Sequence, residues 1–203
     1  MNPSVPALVS TLRSREPRLG PTRLVLIDGP AGAGKTTLAN RVAIALGGIA
    51  SAGAGTFDPH APLPDVPILH GDDMYEGWTG LATLDRVLVD QVLAPLARGE
   101  DGAFRMWDWH LSRRTHTVPV PARDFLVVEG VGVASRAARP YAALVLWCEA
   151  PWETRLERGV ARDGEAMRSE WERWHPREDA YLEAEGVRAA ADAVIDGTVP
   201  LPG

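Results

Sequence analysis

The stretch Gly29–Thr37 (Gly-Pro-Ala-Gly-Ala-Gly-Lys-Thr-Thr) has the residue types and spacing of a phosphate-binding loop. Glycines at these positions let successive backbone N–H groups converge on an anion at the start of a helix. A lysine placed like Lys35 can reach the β- and γ-phosphates of a nucleotide, and a hydroxyl placed like that of Thr36 can bind Mg²⁺. The chemistry that this stretch could support is therefore nucleotide binding or phosphate transfer.

The flanking residues predict the elements that this loop requires. Leu24–Ile27 has the pattern of a buried strand, and residues 38–46 have the spacing of an amphipathic helix. A Gly/Ala-rich turn with a chance lysine is the alternative, but Lys35 is the only lysine among the 21 Lys and Arg residues of the chain. We expect ATP to be bound by Gly29, Ala31, Gly32, Ala33, Gly34, Lys35, Thr36 and Thr37.

Composition limits the class of protein. A chain of 203 residues predicts one domain over 1–203, with an amphipathic helix and linker at 1–22. The net charge of −6 argues against a protein that coats nucleic acid. No apolar run is long enough to predict a membrane span. The single cysteine, Cys148, excludes an internal disulfide and favours a cytoplasmic protein. The oligomeric state stays open.

Two adjacent acids follow the second predicted strand, Val66–His70. Ligands of an open parallel sheet bind beyond the carboxyl ends of its strands, where Asp72 and Asp73 fall. There a carboxylate could act as a general base or hold the water ligands of a metal. Aspartate also begins many helices, so capping is the alternative.

Residues 104–110 combine aromatic and charged side chains and are followed by Arg113 and Arg114. They could form a substrate pocket that stacks a ring. Alternatively, Trp107 and Trp109 alternate on a strand that packs one face on the core. The preceding apolar residues, from Leu81 to Leu96, predict a core-packing helix that ends at Gly99.

Further signals lie in the second half of the chain. Glu129 ends the predicted strand Phe125–Val128, at the position of a Walker B-type magnesium ligand. After the strand Ala143–Cys148, a helix places three arginines on one face. They are Arg155, Arg158 and Arg162, for which ion pairing with Glu153, Glu157 and Asp163 is the alternative.

The order of these elements predicts an α/β fold with a doubly wound, mainly parallel sheet. The chain has no lysine for the Asn-Lys-x-Asp element of signalling GTPases, and it has no Leu-Ser-Gly-Gly-Gln signature of transporter ATPases. No apolar strand ends in the Asp-Glu pair of motor ATPases. The remaining class is that of small kinases, which position their substrates under a closing lid.

From Leu24 to about Gly197 the chain resembles the uridine kinase family and its phosphoribulokinase-like relatives. The matching pieces occur in the family's order: Gly29–Thr36, Asp72–Tyr75, Trp107–Trp109, Val118–Pro121 with Val127–Gly130, Arg155–Asp163 and Arg188–Ile195. The resemblance implies a P-loop NTPase fold in which residues 151–186 form a small helical lid and the following helix.

The resemblance also implies roles for individual residues. Asp72 would take the proton of an acceptor hydroxyl, and the other residues would surround Mg-ATP and the acceptor. The phosphates would be bound by Lys35, Arg155, Arg158 and Arg162. Mg²⁺ would be bound by Thr36 and Glu129. The acceptor would be contacted by Asp72, Tyr75, Trp107 and Asp108. The function implied is transfer of the γ-phosphate of ATP to a small-molecule acceptor, a nucleoside in this family.

Some positions depart from the family pattern. Trp107 replaces a tyrosine, Ser112 replaces a histidine while His110 lies two positions earlier, and Gly159 interrupts the lid arginines. A nucleoside-monophosphate kinase, whose acceptor phosphate would meet Arg105, Arg113 and Arg114, is therefore one alternative. The loop itself also resembles that of cytidylate kinases. A nucleotide-binding module without phosphate transfer is the other alternative.

Overall fold

A computed structural model describes residues 2–202, and its centre is a five-stranded parallel sheet. Numbered along the chain, the strands are β1 (Arg23–Asp28), β2 (Ile68–His70), β3 (Gly102–Asp108), β4 (Arg113–Val120), β5 (Phe125–Glu129), β6 (Ala142–Glu149) and β7 (Ala193–Asp196). The sheet order is β2-β5-β1-β6-β7, whereas β3 and β4 form a separate antiparallel hairpin. The predicted α/β fold with a doubly wound parallel sheet is confirmed.

Helices cover the sheet. They are α1 (Val5–Ser14), α2 (Lys35–Ala45), α3 (Leu84–Val87), α4 (Ala94–Ala97), α5 (Trp152–Asp163), α6 (Arg168–Glu185) and α7 (Val187–Ala190). A π-helical stretch, Leu88–Leu93, joins α3 to α4, so the helix predicted between Leu81 and Leu96 exists in an irregular form. Pro95 has no N–H to donate to the preceding turn, which fits this departure from regular α-helix.

The core has two parts, one on each face of the sheet. In β1, Leu24 and Leu26 enter one cluster, while Val25 and Ile27 enter the other. This alternation follows from the two-residue period of a strand that is buried on both faces. Residues of α1 and α2 pack on the Val25 face, and the α3–α4 region, the hairpin and α6 pack on the Leu24 face.

Two local differences separate the structure from the sequence prediction. Strand β4 was not predicted, because its exposed, polar residues lack the apolar run of a core strand. Strand β2 begins at Ile68 rather than Val66, since Pro67 has no N–H for the ladder. The connection from Gly47 to Pro67 contains no helix or strand, as predicted. Within residues 2–202, no helix has the length and apolar character needed to cross a membrane.

Candidate functional site

The phosphate loop joins β1 to α2, and its backbone is held in a shape that side chains cannot adopt. Gly29 has φ 137°, and a Cβ there would lie 2.0 Å from the Cys148 carbonyl oxygen. Helix α2 starts at Lys35, which is only 7% exposed, so its ammonium lies inside the loop. Its Nζ donates to the Pro30 carbonyl oxygen at 3.0 Å. The strand, loop and helix thus follow one another as the motif predicted, and binding of an anion by this loop stays a prediction.

Asp28, the last residue of β1, holds the beginning of this loop. It is fully buried and accepts backbone N–H groups from Gly29 at 2.6 Å, Gly132 at 2.8 Å and Ala134 at 2.7 Å. Burial raises the pKa of Asp28 to about 6, although these hydrogen bonds oppose the shift. The sequence did not single out Asp28, because its partners after β5 are distant in the chain.

Thr36 and Glu129, the two predicted magnesium ligands, are in contact. The Thr36 hydroxyl donates to Glu129 Oε1 at 2.9 Å. Burial opposes ionisation of Glu129, but hydrogen bonds from His70 and Thr36 and the charges of His70 and Lys35 keep its pKa below its ordinary value. Hydroxyl and carboxylate oxygens are the donors that Mg²⁺ prefers, so this pair fits the ion.

His70 extends this pair, and sequence reasoning missed it. Strands β2 and β5 place His70 opposite Glu129, with the His70 Nδ1 2.6 Å from Glu129 Oε1. Burial lowers the pKa of His70, but the hydrogen bond and charge of Glu129 raise it, and the net shift is upward. Its Nε2 lies 2.7 Å from the Ser51 hydroxyl. A polar residue at the end of a buried strand was the available signal.

The adjacent acids Asp72 and Asp73 diverge. The Asp72 carboxylate accepts the Tyr75 hydroxyl at 2.7 Å, whereas the Asp73 carboxylate accepts the Gly55 N–H at 2.7 Å. Asp73 is buried, and burial raises its pKa to about 7, while Asp72 is partly exposed. In residues 2–202 neither carboxylate caps a helix, so the capping alternative gains no support from their contacts.

Aromatic side chains surround Tyr75. The aromatic cluster consists of Tyr75, Trp78, Trp109 and Trp174, with ring centroids 5.6 to 6.2 Å apart. Burial and the charge of Asp72 raise the pKa of Tyr75 well above its ordinary value, so its hydroxyl remains a donor to Asp72. The Trp109 indole also donates to the Asp72 carbonyl oxygen at 2.8 Å.

The two tryptophans of the Trp-Asp-Trp element differ. Trp109 packs against the core, whereas half-buried Trp107 is not among the described residues that do so. Asp108 accepts the backbone N–H groups of His110 and Leu111, so its carboxylate shapes the hairpin turn. The acceptor-facing roles of Trp107 and Asp108 stay predictions.

Arg114, on β4, lies beside the segment that follows Asp72. Its guanidinium donates to Glu76, to the Met74 carbonyl oxygen and to the Arg105 carbonyl oxygen. An open pocket of about 460 Å³ lies on this part of the hairpin. Its lining residues are Arg105, Asp108, Leu111, Arg113, Arg114, Thr115 and His116.

Two of the three predicted lid arginines contact the phosphate loop. Arg155 donates to the Ala31 carbonyl oxygen at 3.2 Å, and Arg158 donates to that of Gly32 at 3.2 Å. Arg162 instead forms two hydrogen bonds with Asp163, which raise its pKa, and the charges of Asp72 and Glu129 add to the shift. The structure therefore places one arginine in the predicted surface ion pair and two at the loop.

Glu178, on α6, is a third residue that the sequence did not reveal. It is 0% exposed, and its Oε1 accepts from Arg155 Nη1 at 2.5 Å. Its Oε2 accepts the Ala31 N–H and the Trp174 indole N–H, each at 2.8 Å. A glutamate in a charged helix carries no local signal for such a long-range contact.

Gly159 has a packing role between α5 and α6. A Cβ at this position would lie 2.3 Å from the indole of Trp171, which is itself 1% exposed. Gly159, which interrupts the row of arginines on α5, therefore allows α5 and α6 to pack closely.

A parallel sheet with this loop after its central strand defines the P-loop NTPase fold. No protein-family model matches the chain, and no curated protein matches it. Among solved structures, a possible uridine kinase from Bacillus stearothermophilus is 22% identical with a TM-score of 0.61, covering 95% of this chain and 97% of that one. A putative fructose transport system kinase from Silicibacter sp. TM1040 is 19% identical with a TM-score of 0.58, covering 95% and 99%. These likenesses confirm the predicted fold.

Proposed function

We propose that this protein is a small-molecule kinase that transfers the γ-phosphate of Mg-ATP to an acceptor hydroxyl. The observation that carries the proposal is the position of Asp72. Asp72 follows β2, and β2 pairs with β5. The last residue of β5, Glu129, accepts a hydrogen bond from Thr36 of the phosphate loop. The candidate base and the candidate metal site thus lie at the ends of neighbouring parallel strands, which supports the proposal.

In this proposal each side chain of the site has one task. Asp72 accepts the proton of the acceptor hydroxyl, and Tyr75 fixes the orientation of that carboxylate through its hydrogen bond. Lys35 has three N–H donors, and among residues 2–202 its one acceptor is Pro30, so two donors remain for phosphate oxygens. Bound Mg²⁺ would neutralise phosphate charge beside Thr36 and Glu129.

The lid supplies further positive charge. Arg158 reaches the phosphate loop from α5, and Arg162 lies where the charges of Asp72 and Glu129 act on it. Guanidinium groups suit phosphoryl oxygens because their planar forks donate two parallel hydrogen bonds. We infer that these two arginines stabilise the transferred phosphate, while Arg155 supports the loop.

The acceptor we propose is a nucleoside. Half-buried Trp107 and the partly exposed indoles of Trp78 and Trp109 offer surfaces on which a base could stack. The likeness to a possible uridine kinase also favours a nucleoside, and that to a putative fructose transport system kinase favours a sugar. The pocket lined by Arg105, Arg113 and Arg114 favours a nucleoside monophosphate as the second candidate.

A substrate panel with coupled ADP detection tests these assignments. Nucleosides, nucleoside monophosphates and free sugars are each offered with Mg-ATP. ADP formation that depends on nucleosides supports the proposal, and formation that depends on monophosphates supports the second candidate. Nucleotide binding without turnover on any member would instead support a binding module and overturn the kinase assignment.

A further inference from the structure

A cavity of about 250 Å³, here called the edge cavity, lies apart from the phosphate loop. It is a half-open cavity lined by β2, which is an edge strand of the sheet, by the hairpin and by the connection after α2. Most of its lining is apolar, including Ile49, Phe57, Leu63, Ile68, Phe104 and Val118. An apolar cavity with a few polar groups is the usual form of a small-molecule site.

One charged group in the edge cavity lacks a full set of partners. Asp73 is 6% exposed, and its Oδ1 accepts the Gly55 N–H at 2.7 Å. Within residues 2–202, its Oδ2 accepts no hydrogen bond, and it is not one of the side-chain atoms that are closed to solvent and lack a partner, so it keeps contact with solvent. Such an oxygen is free to accept a hydrogen bond from a cation or another donor that enters the cavity.

The other polar groups of the cavity form no hydrogen bond with Asp73 among the described residues, although the charge of His70 partly offsets that of the carboxylate. Both ring nitrogens of His70 are engaged, Nδ1 with Glu129 and Nε2 with Ser51. The remaining charged residue of the lining, Asp58, is a second carboxylate, which is exposed to solvent and accepts the His60 N–H. The cavity therefore presents one buried carboxylate, Asp73, and one exposed carboxylate, Asp58, and carries no lysine or arginine among its described lining residues.

We propose that the edge cavity binds a small, mainly apolar molecule that carries one protonated amine. The ammonium group binds Asp73 Oδ2, and the hydrocarbon part packs among Phe57, Phe104 and Val118. A cationic ligand offsets the cost of the buried carboxylate, which a neutral molecule does only weakly. An anion is repelled by Asp58 and Asp73.

The ionisation of Asp73 agrees with this choice of ligand. Burial raises its pKa to about 7, with the charge of His70 lowering it and those of Asp72 and Glu129 raising it. At about pH 8 the carboxylate is mostly ionised while a primary amine, with a pKa near that of lysine, is still protonated. Binding is therefore measured at that pH.

The test is isothermal titration of the full chain with phenethylamine, compared with the neutral 2-phenylethanol. A fragment of this size is expected to bind in about the millimolar range. We expect the alcohol to bind about tenfold more weakly, because it cannot form the charged hydrogen bond. Amide NMR signals of Gly53 and Gly55, in the segment over the cavity, should shift with the amine.

Two variants and a control locate the binding. Asp73→Asn keeps an oxygen for Gly55 but removes the charge, so amine affinity should fall about tenfold or more. Ala52→Phe should fill the cavity and abolish binding, whereas Asp65→Asn, an exposed acid of the same connection, should leave it unchanged. Equal affinity for amine and alcohol, binding unaffected by Asp73→Asn, or no amine binding at about 20 mM would each overturn the proposal.

Discussion

Glu178 Oε2 accepts the backbone N–H of Ala31 at 2.8 Å, so one N–H group of the phosphate loop is hydrogen-bonded to a carboxylate of α6. The other carboxylate oxygen binds Arg155 of α5, whose guanidinium also donates to the Ala31 carbonyl oxygen. Helices α5 and α6 are thus attached to the loop through one buried ion pair. The position of these two helices and the shape of the loop depend on each other through Glu178.

Replacing Glu178 should destabilise the protein strongly. Glu178→Leu leaves the buried Arg155 guanidinium without its carboxylate, and breaking a buried pair in this way costs about 3–5 kcal/mol. Urea unfolding measures the loss, with exposed Glu183→Leu as the matched control. The double variant Arg155→Met/Glu178→Leu should recover much of it. A single variant as stable as the control would show that the pair contributes little.

Lys35→Ala should abolish turnover while the fold is retained. The ammonium contacts the loop at one carbonyl oxygen, and its loss removes several kcal/mol of transition-state stabilisation. Steady-state ADP release and circular dichroism, measured on the same preparation, separate activity from folding. Near-normal activity would mean that this loop is not the catalytic nucleotide site.

Asp72→Asn should lower kcat about 10²–10⁴-fold, the usual contribution of a general base, with Mg-ATP affinity retained. Asp73→Asn is the matched variant and should harm kcat less, because the Asp73 carboxylate faces Gly55 instead of Tyr75. Single-turnover rates and nucleotide titrations give the two quantities. A greater kcat loss in Asp73→Asn would show that Asp73, and not Asp72, is the base.

Asp73 should also make stability depend on pH. Its pKa is about 7 in the folded protein and ordinarily 3.8, so the folded state binds the proton more tightly between these values. Stability from this group is therefore greatest below the lower value and falls as pH rises through about 7. Asp28, with its pKa raised to about 6, acts in the same direction.

Melting temperatures between about pH 5.5 and pH 8 check this dependence. The wild type should lose stability across that interval more steeply than Asp73→Asn, which cannot titrate at this position. Asp28 is common to both proteins and cancels in the comparison. Parallel curves would show that Asp73 is ionised at the same pH in both the folded and the unfolded protein.

Trp107→Tyr should change the ratio of kcat/KM between acceptors, with little change in KM for ATP. The indole offers only a donor, whereas a phenol both donates and accepts, and a site that bonds a hydroxyl can discriminate strongly. Acceptor titrations that follow tryptophan emission, in wild type and Trp107→Phe, report contact with the ring. If the emission signal and the acceptor ranking both stay the same, Trp107 does not line the acceptor site.

The sequence predicted those parts of the site that depend on local stereochemistry. The loop glycines, Lys35 and Thr36 follow one another in a fixed order, so their geometry is encoded within one strand, turn and helix. Glu129 could be placed because the ends of parallel strands meet at one edge of the sheet, and the Thr36 contact agrees with that placement.

The contacts of His70, Asp28 and Glu178 could not be predicted in this way. His70 meets Glu129 through the register of β2 on β5, and Glu178 meets Ala31 through the packing of α6 on the loop. Neither the register nor the packing leaves a periodic mark in the sequence. The sequence also did not reveal that Asp108, a motif residue, accepts two backbone N–H groups in the turn of its own hairpin.

The single lysine gives the protein an uncommon chemical property. Apart from the α-amino group, Lys35 is the only primary amine of the chain, and it lies almost entirely within the loop. An amine-selective acylating reagent can therefore mark one side chain, and that side chain lies in the proposed nucleotide site. We expect the acylation of Lys35, read by mass spectrometry, to fall when a nucleotide occupies that site.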